Sequence, residues 1–177
     1  MKLLRTAVVA GALALAGISN APAQTPPAKS RAELLAAARA IMDSARFASF
    51  VTVDEQGQPQ SRIVDPFAAD SDFTIWIGTN PRSRKVAQVQ KSSRVALSYF
   101  DQARLRYVTL LGRAEVVTDD EAKRKYFKPE WAAFYPDRAR DYVLVRVRPE
   151  RLELISESDG IGFTDVVTWR LPAVTFD

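Results

Sequence analysis

Residues 73–91 switch hydrophobic period within a short span, and few folds accommodate such a switch. Phe73-Thr74-Ile75-Trp76-Ile77 is β-branched and aromatic, the composition of a strand. Gly78-Thr79-Asn80-Pro81 breaks it, and between Arg84 and Lys91 the apolar Val86 and Val89 fall at helical spacing. A strand that turns directly into a helix gathers the Thr79 and Ser83 hydroxyls, Asn80, the open N–H groups of a helix start and the cations Arg84 and Lys85. That set suits a phosphate, because Arg grips oxygens in pairs and Lys adds a compact charge. The residue types alone favour a plainer reading, in which Ser83 caps the helix and the cations are solvated.

Around this segment the pattern is mostly strand. Ser30-Arg31-Ala32-Glu33 forms a capping box, and Leu34, Leu35, Ala38, Ile41 and Met42 extend it as a helix to about Ser44. Phe47–Val53 and Gln60–Val64 read as a hairpin across a Gly57 turn. Arg94–Phe100 alternates, and Arg104–Val117 reads as a long strand bent at Gly112. Thr118-Asp119-Asp120-Glu121 reads as a second capping box, followed by a helix to about Phe127. Tyr142–Val147 and Arg151–Ile155 alternate as a closing hairpin across Arg148-Pro149-Glu150. The fold class is therefore mainly β: a small antiparallel barrel of six to seven strands with short flanking helices.

The N-terminus reads as an export leader. Lys2 and Arg5 precede the apolar run Ala7–Ile18, too short to span a bilayer, and Ala21-Pro22-Ala23 fits a cleavage site. The expected organisation is a signal peptide over 1–23, a linker over 24–29 and one domain over 30–177. The expected location is periplasmic or secreted, with no stable membrane anchor. Without Lys2 and Arg5, 23 of the 25 basic residues face 21 acidic ones, so bulk charge gives no reason to expect nucleic acid as a partner. The chain has no Cys and no His. That excludes a Ser-His-Asp triad, a Cys-His nucleophile, a His-ligated haem and the usual zinc sites. Chemistry here comes from a bound cofactor or is absent.

Three pieces in order resemble the pyridoxamine 5'-phosphate oxidase-like FMN-binding split barrels, most closely their general-stress branch. They are Ser61-Arg62-Ile63-Val64, then Ile77-Gly78-Thr79-Asn80 with Ser83-Arg84-Lys85, then Val108-Thr109-Leu110-Leu111-Gly112-Arg113-Ala114-Glu115-Val116. The resemblance implies FMN as cofactor, with FAD or a deazaflavin as alternatives. It implies that Arg62, Ile63 and Val64 lie along the flavin, with Arg62 reaching the phosphate. Thr79, Asn80, Ser83, Arg84 and Lys85 would line the cofactor site, most of them gripping the phosphate and ribityl chain. It also implies a homodimer with the flavin at the subunit interface, bringing Tyr107 to the partner's flavin. Many relatives carry Gln at the position of Tyr107; an aromatic offers a stacking face instead.

Other clusters have structural readings. Asp119-Asp120-Glu121 suits a helix start, Asp70 and Asp72 flank a turn, and Trp76 is expected in the core. Lys123–Lys128 with Trp131, Phe134 and Tyr135 reads as a helix whose aromatics pack and whose charges stay wet. Trp169-Arg170-Leu171-Pro172 echoes C-terminal elements of true pyridoxamine phosphate oxidases and is expected as a terminal strand. The substrate-binding His near that terminus has no counterpart, which argues against vitamin B6 as substrate. The function expected is an FMN-dependent oxidoreductase acting on a small molecule. The alternative is a flavin or phosphorylated-ligand carrier without turnover. No residue is assigned as catalytic and none as a metal ligand.

Overall fold

In a computed structural model, residues 29–177 are described. The expected export leader, and the expected linker up to residue 28, lie outside them. The helix α1 spans Arg31–Ala45, and its capping box is present: Ser30 Oγ accepts from the Glu33 N–H while Glu33 reaches back to the Ser30 N–H. Hydrogen bonds from the Ser30 side chain, then from its backbone, hold the Glu33 carboxyl down at about 2. The buried stripe Leu34, Ala38, Ile41 and Met42 packs α1 onto the sheet.

Seven strands follow: β1 (Ala48–Val53), β2 (Pro59–Val64), β3 (Ile75–Thr79), β4 (Arg94–Asp101), β5 (Arg106–Val117), β6 (Val143–Ile155) and β7 (Ala173–Thr175). Every pairing is antiparallel, in the order β2-β1-β4-β5-β6-β3, with β7 also on β6. The sheet curls into a half-barrel. The helix α2 (Arg84–Lys91) follows β3, while α3 (Asp120–Lys125) and α4 (Arg138–Asp141) lie between β5 and β6. The inner face carries Phe50, Leu97, Val108, Leu110, Leu152 and Leu154, all fully buried. The opposite side chains of β1, β2, β4 and β5 form an outer face on which Ile63, Ser49, Ser98 and Thr109 stand in one row.

Four details differ from the sequence expectation. The closing hairpin is instead the single strand β6, paired with β5 from Leu144 to Ile155. Its register shifts opposite Leu111 and Gly112, so the chain passes through Arg148-Pro149-Glu150 as a bulge rather than a turn. A bulge accepts a residue without an N–H. Beyond it β6 offers its other edge to β3 at one end and to β7 at the other. The second helix cap is Asp119, not Thr118, and its carboxylate accepts the Ala122 N–H. Strand β3 begins at Ile75, because the Asp70–Thr74 turn holds Phe73 at a φ of 66°. Trp169-Arg170-Leu171-Pro172 is not the terminal strand. Trp169 sits in a turn at a φ of 54°, and β7 starts at Ala173.

An aromatic annex closes the β3–β6 corner. Trp76 is buried, stacks on Tyr126 at 4.4 Å and donates through Nε1 to Asp70 Oδ2 at 2.8 Å. The Tyr126 hydroxyl donates to the same carboxylate. Trp131 and Tyr135 pack here as expected, but Phe134 is exposed.

A buried ion network ties the β4–β5 turn to the C-terminal segment. Arg106 donates to Asp101 at 2.9 Å and to Asp159 at 3.0 Å, with Arg106 and Asp101 both almost wholly enclosed. The Arg106 hydrogen bond holds the Asp101 carboxyl down from 3.8 to about 2. Asp159 is lowered too, first by Ser156 and then by Arg106. A folded-state pKa below the unfolded one means stability that is present above pH 4 and lost as pH falls toward 2. Thermal melting is therefore expected to drop steeply across that window. Asp101→Asn should melt lower than wild type at pH 7 and show a shallower acid slope; an identical slope would remove Asp101 from the cause.

Candidate functional site

The expected phosphate segment gathers polar groups from β2, β3 and the start of α2. Asn80-Pro81-Arg82-Ser83 is a β-turn closed by the Ser83 N–H on the Asn80 carbonyl at 3.0 Å, with Pro81 at its first central position. Asn80 Oδ1 stiffens the turn by accepting the Arg82 N–H at 2.8 Å. The turn delivers Ser83 to the N-cap position of α2, yet its hydroxyl makes no capping bond. Instead it lies 3.3 Å from Thr79 Oγ1, which also accepts from Lys85 Nζ at 2.9 Å. The N–H groups of Arg84 and Lys85 have no acceptor among the described residues. The plain capping reading of Ser83 is therefore not what the hydroxyl does.

Arg62 enters from β2. Its guanidinium donates to Thr52 Oγ1 at 2.6 Å, to Gln88 Oε1 at 3.0 Å and to the Phe50 carbonyl at 3.3 Å. Thr52 in turn donates to Gln88 Oε1 at 2.6 Å. These neutral acceptors hold the fork in place without cancelling its charge. Burial, and then the nearby charge of Arg84, push Arg62 below its usual range. Burial, and then Arg62, do the same to Lys85. Among the described residues none of the three cations pairs with a carboxylate; the nearby Asp141 is taken by Arg140 and Arg82. Three mutually repelling cations, two hydroxyls and free N–H groups make a strong anion cradle. The donor set fits a phosphate dianion.

The other expected residues stand elsewhere. Val64 is buried in the main core, and Ile63 points out from the opposite sheet face at 70 % exposure. Alternation along a strand forces this split, since Arg62 and Ile63 cannot share a face. Asn80 shapes the turn. Tyr107 lies on the outer face between Phe100 and Ile155 and makes no contact with the cradle of its own chain. The sequence reading missed Thr52 and Gln88. A hydroxyl on the otherwise apolar inner face of β1 was the available signal for Thr52. For Gln88 it was a position one turn beyond Arg84.

The family model described as pyridoxamine 5'-phosphate oxidase matches residues 34–156. The chain belongs to the pyridoxamine 5'-phosphate oxidase family. All three segments of the expected resemblance, from Ser61 to Val116, fall inside the match. Solved structures agree on the fold of this family member. A Clostridium acetobutylicum protein related to general stress protein 26 superposes with a TM-score of 0.67 at 18 % identity, covering 82 % of this chain and 96 % of that one. General stress protein 26 of Bacillus anthracis gives 0.61 at 21 %, covering 70 % and 94 %. A conserved hypothetical protein of Mycobacterium tuberculosis gives 0.58 at 23 %, covering 78 % and 92 %. No curated protein matches the sequence.

Proposed function

We propose that this oxidase-family chain binds FMN and acts as a flavin-dependent oxidoreductase on a small substrate. The observation that supports this most is the trio Arg62, Arg84 and Lys85, left without carboxylate partners beside Thr79 and Ser83. A phosphate there would replace repulsion among partly desolvated cations with charge-assisted hydrogen bonds. Thr52 and Gln88 fix the direction of Arg62, so little side-chain freedom is lost on binding. Bound FMN would supply hydride and single-electron transfer. The chain's own contribution is to bind and orient, because it has no His and the cradle holds no unpaired carboxylate.

The outer sheet face suits a second copy of the chain. Ile63, Phe100 and Leu111 are exposed there among the small polar Ser49, Ser61, Ser98 and Thr109. Covering it with a partner would bring Tyr107 toward the partner's flavin. Sedimentation of a monomer with FMN bound would remove this part of the proposal. A cleaved leader over residues 1–23 would send the mature protein to the periplasm or the exterior.

The absence of an acid or base in the cradle favours a carrier as the second reading. Spectroscopy separates the two. The expected result is a yellow protein whose flavin bands bleach with dithionite and return when a small acceptor is added. Flavin that stays bound but exchanges electrons with no partner supports the carrier, and a colourless protein that ignores added FMN removes both.

A further inference from the structure

Residues 65–69, the first half of the β2–β3 connection, line a half-open cavity of about 270 Å³ together with Met42, Arg46, Tyr99 and Lys128. It shares no lining residue with the cradle. Tyr99 rises into it from the inner face of β4 at 2 % exposure, and its hydroxyl has no hydrogen-bond partner among the described residues. A buried hydroxyl left unpaired is costly and rare in native structures. Burial pushes the phenol well above its usual range, so the group remains a donor.

Asp65 faces the same space. Lys128 Nζ lies 2.7 Å from its Oδ1, a close ion pair. Lys128 also donates to the Asp65 and Pro66 carbonyls, at 3.4 and 3.2 Å. Arg46 lies 3.5 Å from the other carboxylate oxygen. The cavity thus holds one donor without a partner, the Tyr99 hydroxyl, beside an ion-paired carboxylate that keeps further lone pairs to accept with. Its charges balance, Arg46 and Lys128 against Asp43 and Asp65, and Met42 and Phe67 supply apolar walls. Its volume is several times the roughly 30 Å³ of one water and just under the span of about 300–1,000 Å³ typical of drug-sized sites.

We propose that this cavity is a second binding site, for a small neutral molecule bearing a carboxamide or lactam, with Tyr99 donating to its carbonyl and Asp65 accepting from its N–H. Charge balance disfavours an anion, and the apolar walls favour a flat ring behind the amide. The site stands apart from the FMN reading, so either can fail alone.

Benzamide is the probe, titrated into the mature chain and followed by ligand-observed NMR. Wild type is expected to bind benzamide, and Tyr99→Phe about tenfold more weakly, the loss of one buried hydrogen bond. Benzoate, which lacks the N–H and adds a charge, is expected to bind wild type more weakly than benzamide. Free Tyr99→Phe should melt no lower than wild type, because the hydroxyl it removes is unpaired, and its FMN titration should not change. No benzamide binding, or equal affinity in wild type and Tyr99→Phe, overturns the proposal. Equal affinity for benzamide and benzoate overturns the role of Asp65. A crystal structure with only ordered waters between Tyr99 and Asp65 after benzamide soaking identifies a hydration pocket instead.

Discussion

Replacing Arg62 and Lys85 together by Met is expected to abolish FMN binding and leave the free protein folded. Each charge-assisted hydrogen bond contributes about 1.5–3 kcal/mol. Losing two lowers affinity by roughly a hundredfold to ten-thousandfold, read by quenching of flavin fluorescence. Melting of the free protein provides the control. Lys85 is partly desolvated and repelled by Arg62, so Lys85→Met alone should raise the ligand-free melting temperature while weakening FMN. Binding residues that destabilise the empty protein are a common compromise between stability and function. Removing Arg62 strands nothing, because Thr52 still donates to Gln88. Unchanged FMN affinity in the double variant would reassign the cradle.

Gly112→Ala is the second large effect, and it acts on the fold. A Cβ at Gly112 would collide with the Arg148 carbonyl oxygen, in the bulge where β5 and β6 change register. The obstruction is backbone on a strand paired along its length, so it cannot swing aside as a side chain would. The cost should fall at the upper end of the about 1–3 kcal/mol seen on overpacking. The urea midpoint should drop with the slope unchanged. A midpoint at the wild-type value would mean that the bulge slides to accommodate the methyl group.

The same bulge shows where the sequence stops being legible. Alternation on either side of Arg148-Pro149-Glu150 is real, but a Pro between alternating runs marks a turn or a bulge equally well. The glycine that decides between them lies on another strand, 37 positions away from Pro149. Local signals were read more reliably. The Ser30–Glu33 box, the β3-turn-α2 switch and the helix Arg84–Lys91 depend on neighbours in sequence and stand as expected. The cations of the cradle were visible as residue types. Their lack of counter-ions was not, because pairing is decided by chains that meet only after folding. Thr52 and Gln88 went unseen for that reason, as did Tyr99: alternation marks it as inward but says nothing of what its hydroxyl finds there.

Phosphate recognition by Arg62, Thr79, Ser83, Arg84 and Lys85 is tested most directly by titrating the mature chain with FMN and with riboflavin side by side. The two share the ring and ribityl chain and differ only in the phosphate. FMN is expected to bind at one per chain and riboflavin at least about a hundredfold more weakly, a gap of ~2.8 kcal/mol. Equal affinities, or no binding of either, would contradict it.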